Sequence, residues 1–96
     1  MIMYPNPADT IIQVSCTLAN ASWTGSEPEV FVYDLAGDLV VRLKNFVEAV
    51  PGVISSAWDL NNENDRPVAN GTYFCKVRLD TDRGWFEDSS TFAVIR

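Results

Sequence analysis

The sequence predicts an all-β domain, a two-sheet antiparallel sandwich of about seven strands formed by residues 1–96 as one unit. In two runs, Thr10 to Leu18 and Thr72 to Leu79, every second residue is apolar and the others are polar apart from Ile11 and Phe74, which is the period of a strand with one face in a core and one in water. Clusters of Gly, Pro, Asn and Asp separate the β-branched and aromatic runs, and no stretch carries apolar residues at helical spacing long enough to stand as a helix. Short strands punctuated in this way bury their apolar faces by packing as two sheets.

Tyr4-Pro5-Asn6-Pro7 cannot be helical, because each proline fixes its own φ and pushes the residue before it toward extended geometry. It is expected as an extended lead-in at the edge of the first strand. From Thr10 to Leu18 the inward face is Ile12, Val14, Cys16 and Leu18. Ala19 to Pro28 is a turn-rich connection in which Trp23 is expected to cover the rim of the core. Val30-Phe31-Val32-Tyr33 is apolar at every position, so composition makes it a strand while periodicity leaves its inward face open. Phe31 stands where a polar outward residue is expected; it marks a contact surface or lies under the loop holding Trp23. Asp34-Leu35-Ala36-Gly37 reads as a tight turn with Gly37 at positive φ, returning into a strand with Leu39, Val41 and Leu43 on one face and Val40, Arg42 and Lys44 on the other.

Asn45 to Gly52 has no clear shape; Phe46 to Val50 is compatible with a single helical turn that Pro51-Gly52 ends. Val53 to Leu60 follows, with Ile54, Ser56, Trp58 and Leu60 on one face and Trp58 at the centre of the core. Gly71 then leads into a strand that turns Tyr73, Cys75, Val77 and Leu79 inward and Phe74, Lys76 and Arg78 outward. Asp80 to Gly84 is a hairpin turn, and the last strand, Trp85 to Ile95, places Phe92 and Val94 on the inner face. The expected core is Ile12, Val14, Leu18, Val32, Leu39, Val41, Trp58, Tyr73, Val77 and Val94.

A chain of 96 residues buries about 60–70% of its unfolded surface, enough for one core with little left to wall a deep pocket. Histidine is absent, the serines have no base at motif spacing and glycine occurs singly, so neither a catalytic set nor a phosphate cradle is present and no cofactor is implied. A net charge of −6 opposes nucleic acid and anionic membranes, and no apolar run approaches the ~18 residues of a membrane span. The start, Met1-Ile2-Met3-Tyr4-Pro5, lacks the basic and apolar regions of a signal peptide; the chain is expected to be the C-terminal piece of a longer exported protein.

The stretch Trp58-Asp59, a polar turn, then Arg66-Pro67-Val68-Ala69-Asn70-Gly71-Thr72-Tyr73-Phe74 fixes two strands relative to each other. Together with the opening Tyr4-Pro5-Asn6-Pro7 and the hairpin Tyr33-Asp34 to Gly37 and Val40, it resembles the immunoglobulin-like module of the flagellar hook-capping protein. It resembles more closely the C-terminal sorting domains of the type IX (Por) secretion system. Tyr73-x-Cys75 fits the tyrosine-corner position of immunoglobulin-like folds, where the phenol bonds an upstream backbone carbonyl, while Cys16, Trp23 and Trp58 lack the spacing of antibody domains. The resemblance implies a non-catalytic sorting signal, exported to the cell surface or beyond, with outer-membrane secretion machinery and upstream domains of the same chain as partners. The terminal strand Thr91, Phe92, Ala93, Val94, Ile95 and Arg96, ending in a basic residue, is then the expected recognition element. Arg96 is expected to be solvated and neutral for stability.

Other residue sets have two readings each. Cys16 and Cys75 lie on inward faces of facing sheets, either as a disulfide or as two buried free thiols. Asp59, Asn61, Glu63 and Asp65 alternate like oxygen ligands of calcium, but the glycine and bidentate glutamate of such a loop are missing, and turn residues bonding their own backbone have the same composition. Lys76 and Arg78 beside Phe74, with Arg42 and Lys44 on another exposed face, make either a small basic stripe for an acidic partner or ordinary solubilising charge. A passive immunoglobulin-like spacer is the alternative function; carbohydrate binding would need an aromatic platform, which Trp23, Trp85 and Phe31 alone could supply.

Overall fold

The structure, a computed structural model, describes residues 1–96. Eight strands form it: β1 (Ile2–Tyr4), β2 (Ile12–Thr17), β3 (Glu29–Tyr33), β4 (Leu39–Leu43), β5 (Val47–Val50), β6 (Val53–Trp58), β7 (Gly71–Thr81) and β8 (Gly84–Val94). They make two antiparallel four-stranded sheets, ordered β1-β2-β6-β5 and β4-β3-β7-β8, with the core between them. Alternation in β2 and β7 is as expected: Ile12, Val14, Cys16, Tyr73, Cys75, Val77 and Leu79 are all buried. In β3, Val30 and Val32 face inward while Phe31 and Tyr33 are half-buried on the outer face.

Two expectations are corrected. The segment expected as a helical turn is strand β5, paired antiparallel with β6. Its valines favour extended backbone, Asn45 at φ 62° turns the chain out of β4, and Gly52 at φ 83° closes a tight hairpin, so strand pairing supplies the hydrogen bonds that an isolated helical turn would leave open. With β1, formed by Ile2–Tyr4 ahead of the prolines, β5 brings the count to eight strands rather than about seven. Leu39, expected in the core, is 52% exposed. The pairing of β3 with β4 passes from Val32 opposite Val41 to Tyr33 opposite Leu39, so Val40 is an extra residue. That bulge turns Leu39 to the outer face beside Tyr33, and Val40 packs against the core instead. The turn before it is as expected, with Gly37 at φ 86° donating its N–H to the Asp34 carbonyl at 3.1 Å.

The lead-in does more than border β2. After β1, Ala8 crosses to the other sheet, donating its N–H to the Ala93 carbonyl (2.8 Å) and accepting from the Ile95 N–H (2.9 Å), while the Asn6 side chain accepts from the Ala93 N–H (3.0 Å). The outer edge of β8 is thereby covered at its C-terminal end, where an open strand would invite pairing with another chain. Trp23 covers the core rim, with its indole N–H on the Ser26 carbonyl at 2.9 Å.

Candidate recognition site at the C-terminal end

Trp58 ends β6 with its ring edge-on to Phe92 of β8 (centroids 5.8 Å apart, planes at 90°) and its indole N–H on the Asn61 carbonyl (2.8 Å). The chain reverses immediately afterwards. Leu60 and Asp65 adopt positive φ, and the Asn62 side-chain oxygen accepts from the N–H groups of Asn64 (2.9 Å) and Arg66 (3.1 Å), so the polar residues of this loop supply hydrogen bonds that a strand ladder would otherwise provide. The Leu60 carbonyl receives the Val68 N–H at 2.9 Å. Tyr73 donates its hydroxyl to the Ala69 carbonyl, the tyrosine-corner arrangement expected from the sequence, and its ring stacks on Phe92 at 5.7 Å. Tyr73→Phe is expected to cost about 0.5–2 kcal/mol by leaving that carbonyl short of a partner, measurable as a lower denaturant midpoint at unchanged m-value.

The tail is fastened to this loop. The Arg96 N–H donates to the Asn70 side-chain oxygen (3.1 Å), the Asn70 amide donates back to the Arg96 carbonyl (3.4 Å), and the Arg96 guanidinium donates to the Leu60 carbonyl (3.1 Å). Arg96 is therefore not a freely solvated end. A charge-assisted bond of this kind is lost in Arg96→Ala, so the substitution carries a modest stability cost instead of none. Within Thr91–Arg96, Phe92 and Val94 are buried in the core and Ala93 is half-buried, which leaves Thr91, Ile95 (57% exposed) and Arg96 as the side chains open to a partner.

The remaining candidate residues separate. Asp59 accepts from the N–H and side-chain amide of Asn61 (3.1 and 3.2 Å), Asp65 accepts from the same amide (3.2 Å), and Glu63 turns away to cap the backbone N–H of Arg42 (2.8 Å). The carboxylates of Asp59 and Asp65 thus serve the loop's own donors and that of Glu63 serves β4, and no three acidic, cysteine or histidine side chains converge as metal ligands. Cys16 and Cys75 are both buried and both free. Burial raises both thiols, that of Cys75 to about 12. Two alkyl adducts are therefore expected when the unfolded, unreduced chain is alkylated, and almost none on the folded domain at pH 8, where little thiolate is present; mass spectrometry reads both.

Arg42 and Lys76, assigned to separate faces from the sequence, lie on one. They flank Phe31 in a single row across the outer face of the second sheet, Arg42 opposite Phe31 on β4 and Lys76 opposite it on β7. Sequence alone does not reveal this row, because it depends on β3 being inserted between β4 and β7.

Two facing antiparallel sheets, a tyrosine corner and a C-terminal strand locked to the loop it faces define a small immunoglobulin-like module. The chain belongs to the family of secretion system C-terminal sorting domains, whose model matches residues 2–84. The matched span includes the loop and β1 to β7 and stops before most of β8. No curated protein matches the chain. Among solved structures, it is similar to a part of dimeric latent PorU from Porphyromonas gingivalis, with a TM-score of 0.70 and 20% identity over 98% of this chain and 9% of that one. It is also similar to PorZ, a surface component of the type-IX secretion system of the same organism (TM-score 0.53, 22% identity, 99% of this chain and 11% of that one). Truncated FlgD from Helicobacter pylori shares the fold as well (TM-score 0.60, 15% identity, 97% of this chain and 65% of that one). At these identities the likeness is one of fold, and the chain spans about a tenth of the length of PorU and PorZ.

Proposed function

We propose that this domain is the non-catalytic sorting module at the C-terminal end of a larger exported protein, read by outer-membrane machinery of the type IX system and delivered with its cargo to the cell surface. The observation that carries the reading is the family match over residues 2–84, on a chain that folds as a self-contained sandwich. A folded tag of this kind needs no pocket; it must present a surface whose shape survives fusion to unrelated cargo. The latch of Arg96 onto Asn70 and the Leu60 carbonyl holds the exposed Ile95 side chain beside it in place, and pairing opposite Phe74 on β7 holds Thr91, so less entropy is lost when a partner engages them.

The site test uses a periplasm-directed reporter fused ahead of residues 1–96 in a bacterium possessing a type IX system. Ile95→Ser and Arg96→Ala, each checked for an intact fold by circular dichroism, are expected to reduce the surface-exposed fraction of the reporter. Export unchanged in both variants would move recognition away from the tail, to the sheets within the matched span.

A further inference from the structure

The charged residues are unevenly distributed over the two sheets. Strands β1, β2 and β6 carry none, whereas the second sheet presents Arg42, Lys76 and Arg78 outward, with Glu29 and Glu87 on either side of Arg78 in the row next to that of Phe31. Arg78 is already engaged, lying 4.2 Å over the Trp85 ring and pairing with Glu87 at 3.3 Å. Arg42 and Lys76 make no ion pair; the carboxylate beside Arg42, that of Glu63, is spent on its backbone N–H. Each rests instead on an aromatic ring, Arg42 over Phe31 at 5.6 Å and Lys76 over Tyr33 at 6.0 Å, and these two rings lie 6.4 Å apart.

We propose that this row is a docking site for an acidic polypeptide segment, with Arg42 and Lys76 each receiving a carboxylate. The inference concerns what the folded domain binds and does not rest on the export reading. Charge complementarity selects an anion at this row: Arg42 and Lys76 form no ion pair, the rows holding Phe31 and Tyr33 between β4 and β8 contain no carboxylate, and the carboxylates of the next row, Glu29 and Glu87, flank Arg78. Stacking on a ring occupies the face of a guanidinium and leaves its in-plane N–H donors free for a carboxylate, and it holds the long side chain near its bound position, so less rotamer entropy is lost on binding.

The same geometry argues against an anionic sugar or a nucleic acid. Both use open ring faces as stacking platforms, and here the cations lie over the rings. The two heads spring from β4 and β7, two inter-strand spacings or about 9.6 Å apart, and glutamates two residues apart on an extended chain, with Cα atoms ~7 Å apart, reach both with their side chains.

The test titrates the purified domain, at low ionic strength, with a ten-residue peptide alternating glutamate and serine, with its glutamine-serine counterpart, and with a sulfated oligosaccharide of equal charge, followed by backbone amide chemical shifts. Saturable binding of the glutamate peptide is expected, with shifts centred on Phe31, Arg42 and Lys76 and none from the glutamine peptide. Arg42→Gln with Lys76→Gln should weaken it roughly three- to tenfold at unchanged Tm, while Arg83→Gln should leave it intact. Absence of saturable binding, equal binding by the double variant, or tighter binding of the oligosaccharide would each overturn the assignment.

Discussion

Replacing Trp58 by alanine is expected to lower the unfolding free energy by about 3–5 kcal/mol. Trp58 is 3% exposed and joins the two sheets through its edge-on contact with Phe92, while its indole N–H fixes the Asn61 carbonyl at the entry to the loop. The substitution therefore leaves a cavity between the sheets and a backbone carbonyl without its donor. Small domains carry a total stability of about 5–15 kcal/mol, so this one change removes a large share of it, and Tm should fall by more than about 10 °C. Calorimetry checks the result; a loss below about 1 kcal/mol would mean that the core is not built around this ring.

Truncation after Ser90 is expected to have a still larger effect and to leave the chain unfolded. It removes Phe92 and Val94 from the core, the hydrogen bonds that Ala93 and Ile95 make with Ala8, and the Arg96 latch on Leu60. Loss of the Phe92 side chain alone costs about 3–5 kcal/mol, and the remaining losses bring the total to the stability of a domain this size. Loss of dispersed amide resonances in the truncated chain is the readout. In consequence, failed export of such a truncation reports unfolding, and single substitutions at Ile95 and Arg96 are the ones that address recognition.

Where local pattern decides the outcome, the sequence was a sufficient guide. In β2 and β7 every second residue is apolar, and a one-residue slip would have exposed the whole set, so the faces of these strands were legible. Trp58, Tyr73 and Gly37 were legible too, since a large aromatic between strands, a tyrosine two before an inward cysteine and a glycine in a tight turn each have one economical placement. The misses have non-local causes. In β5 all four residues are exposed and without alternation, and the strand exists because β6 offers it an edge. Leu39 keeps the inward phase of its run until the bulge at Val40 reverses it. Ala8 is buried where it pairs with Ala93 and Ile95, far away in sequence. The Arg96 latch requires the Leu60 carbonyl to face the end of β8, which follows from the positive φ of Leu60 and from closure of the sandwich, neither of which is written in the tail.

As a sorting module, residues 1–96, folded, should be sufficient to carry a protein to the cell surface. The most direct measurement compares a periplasm-directed reporter with and without this domain at its C-terminus, in a type IX-positive bacterium and in the same strain with the system disabled, scoring the fraction of folded reporter cleaved by protease added to intact cells. Surface cleavage that requires both the domain and the functioning system is the predicted result. A fused reporter that stays in the periplasm, folded and undegraded, would contradict the claim and leave the domain as a passive immunoglobulin-like module.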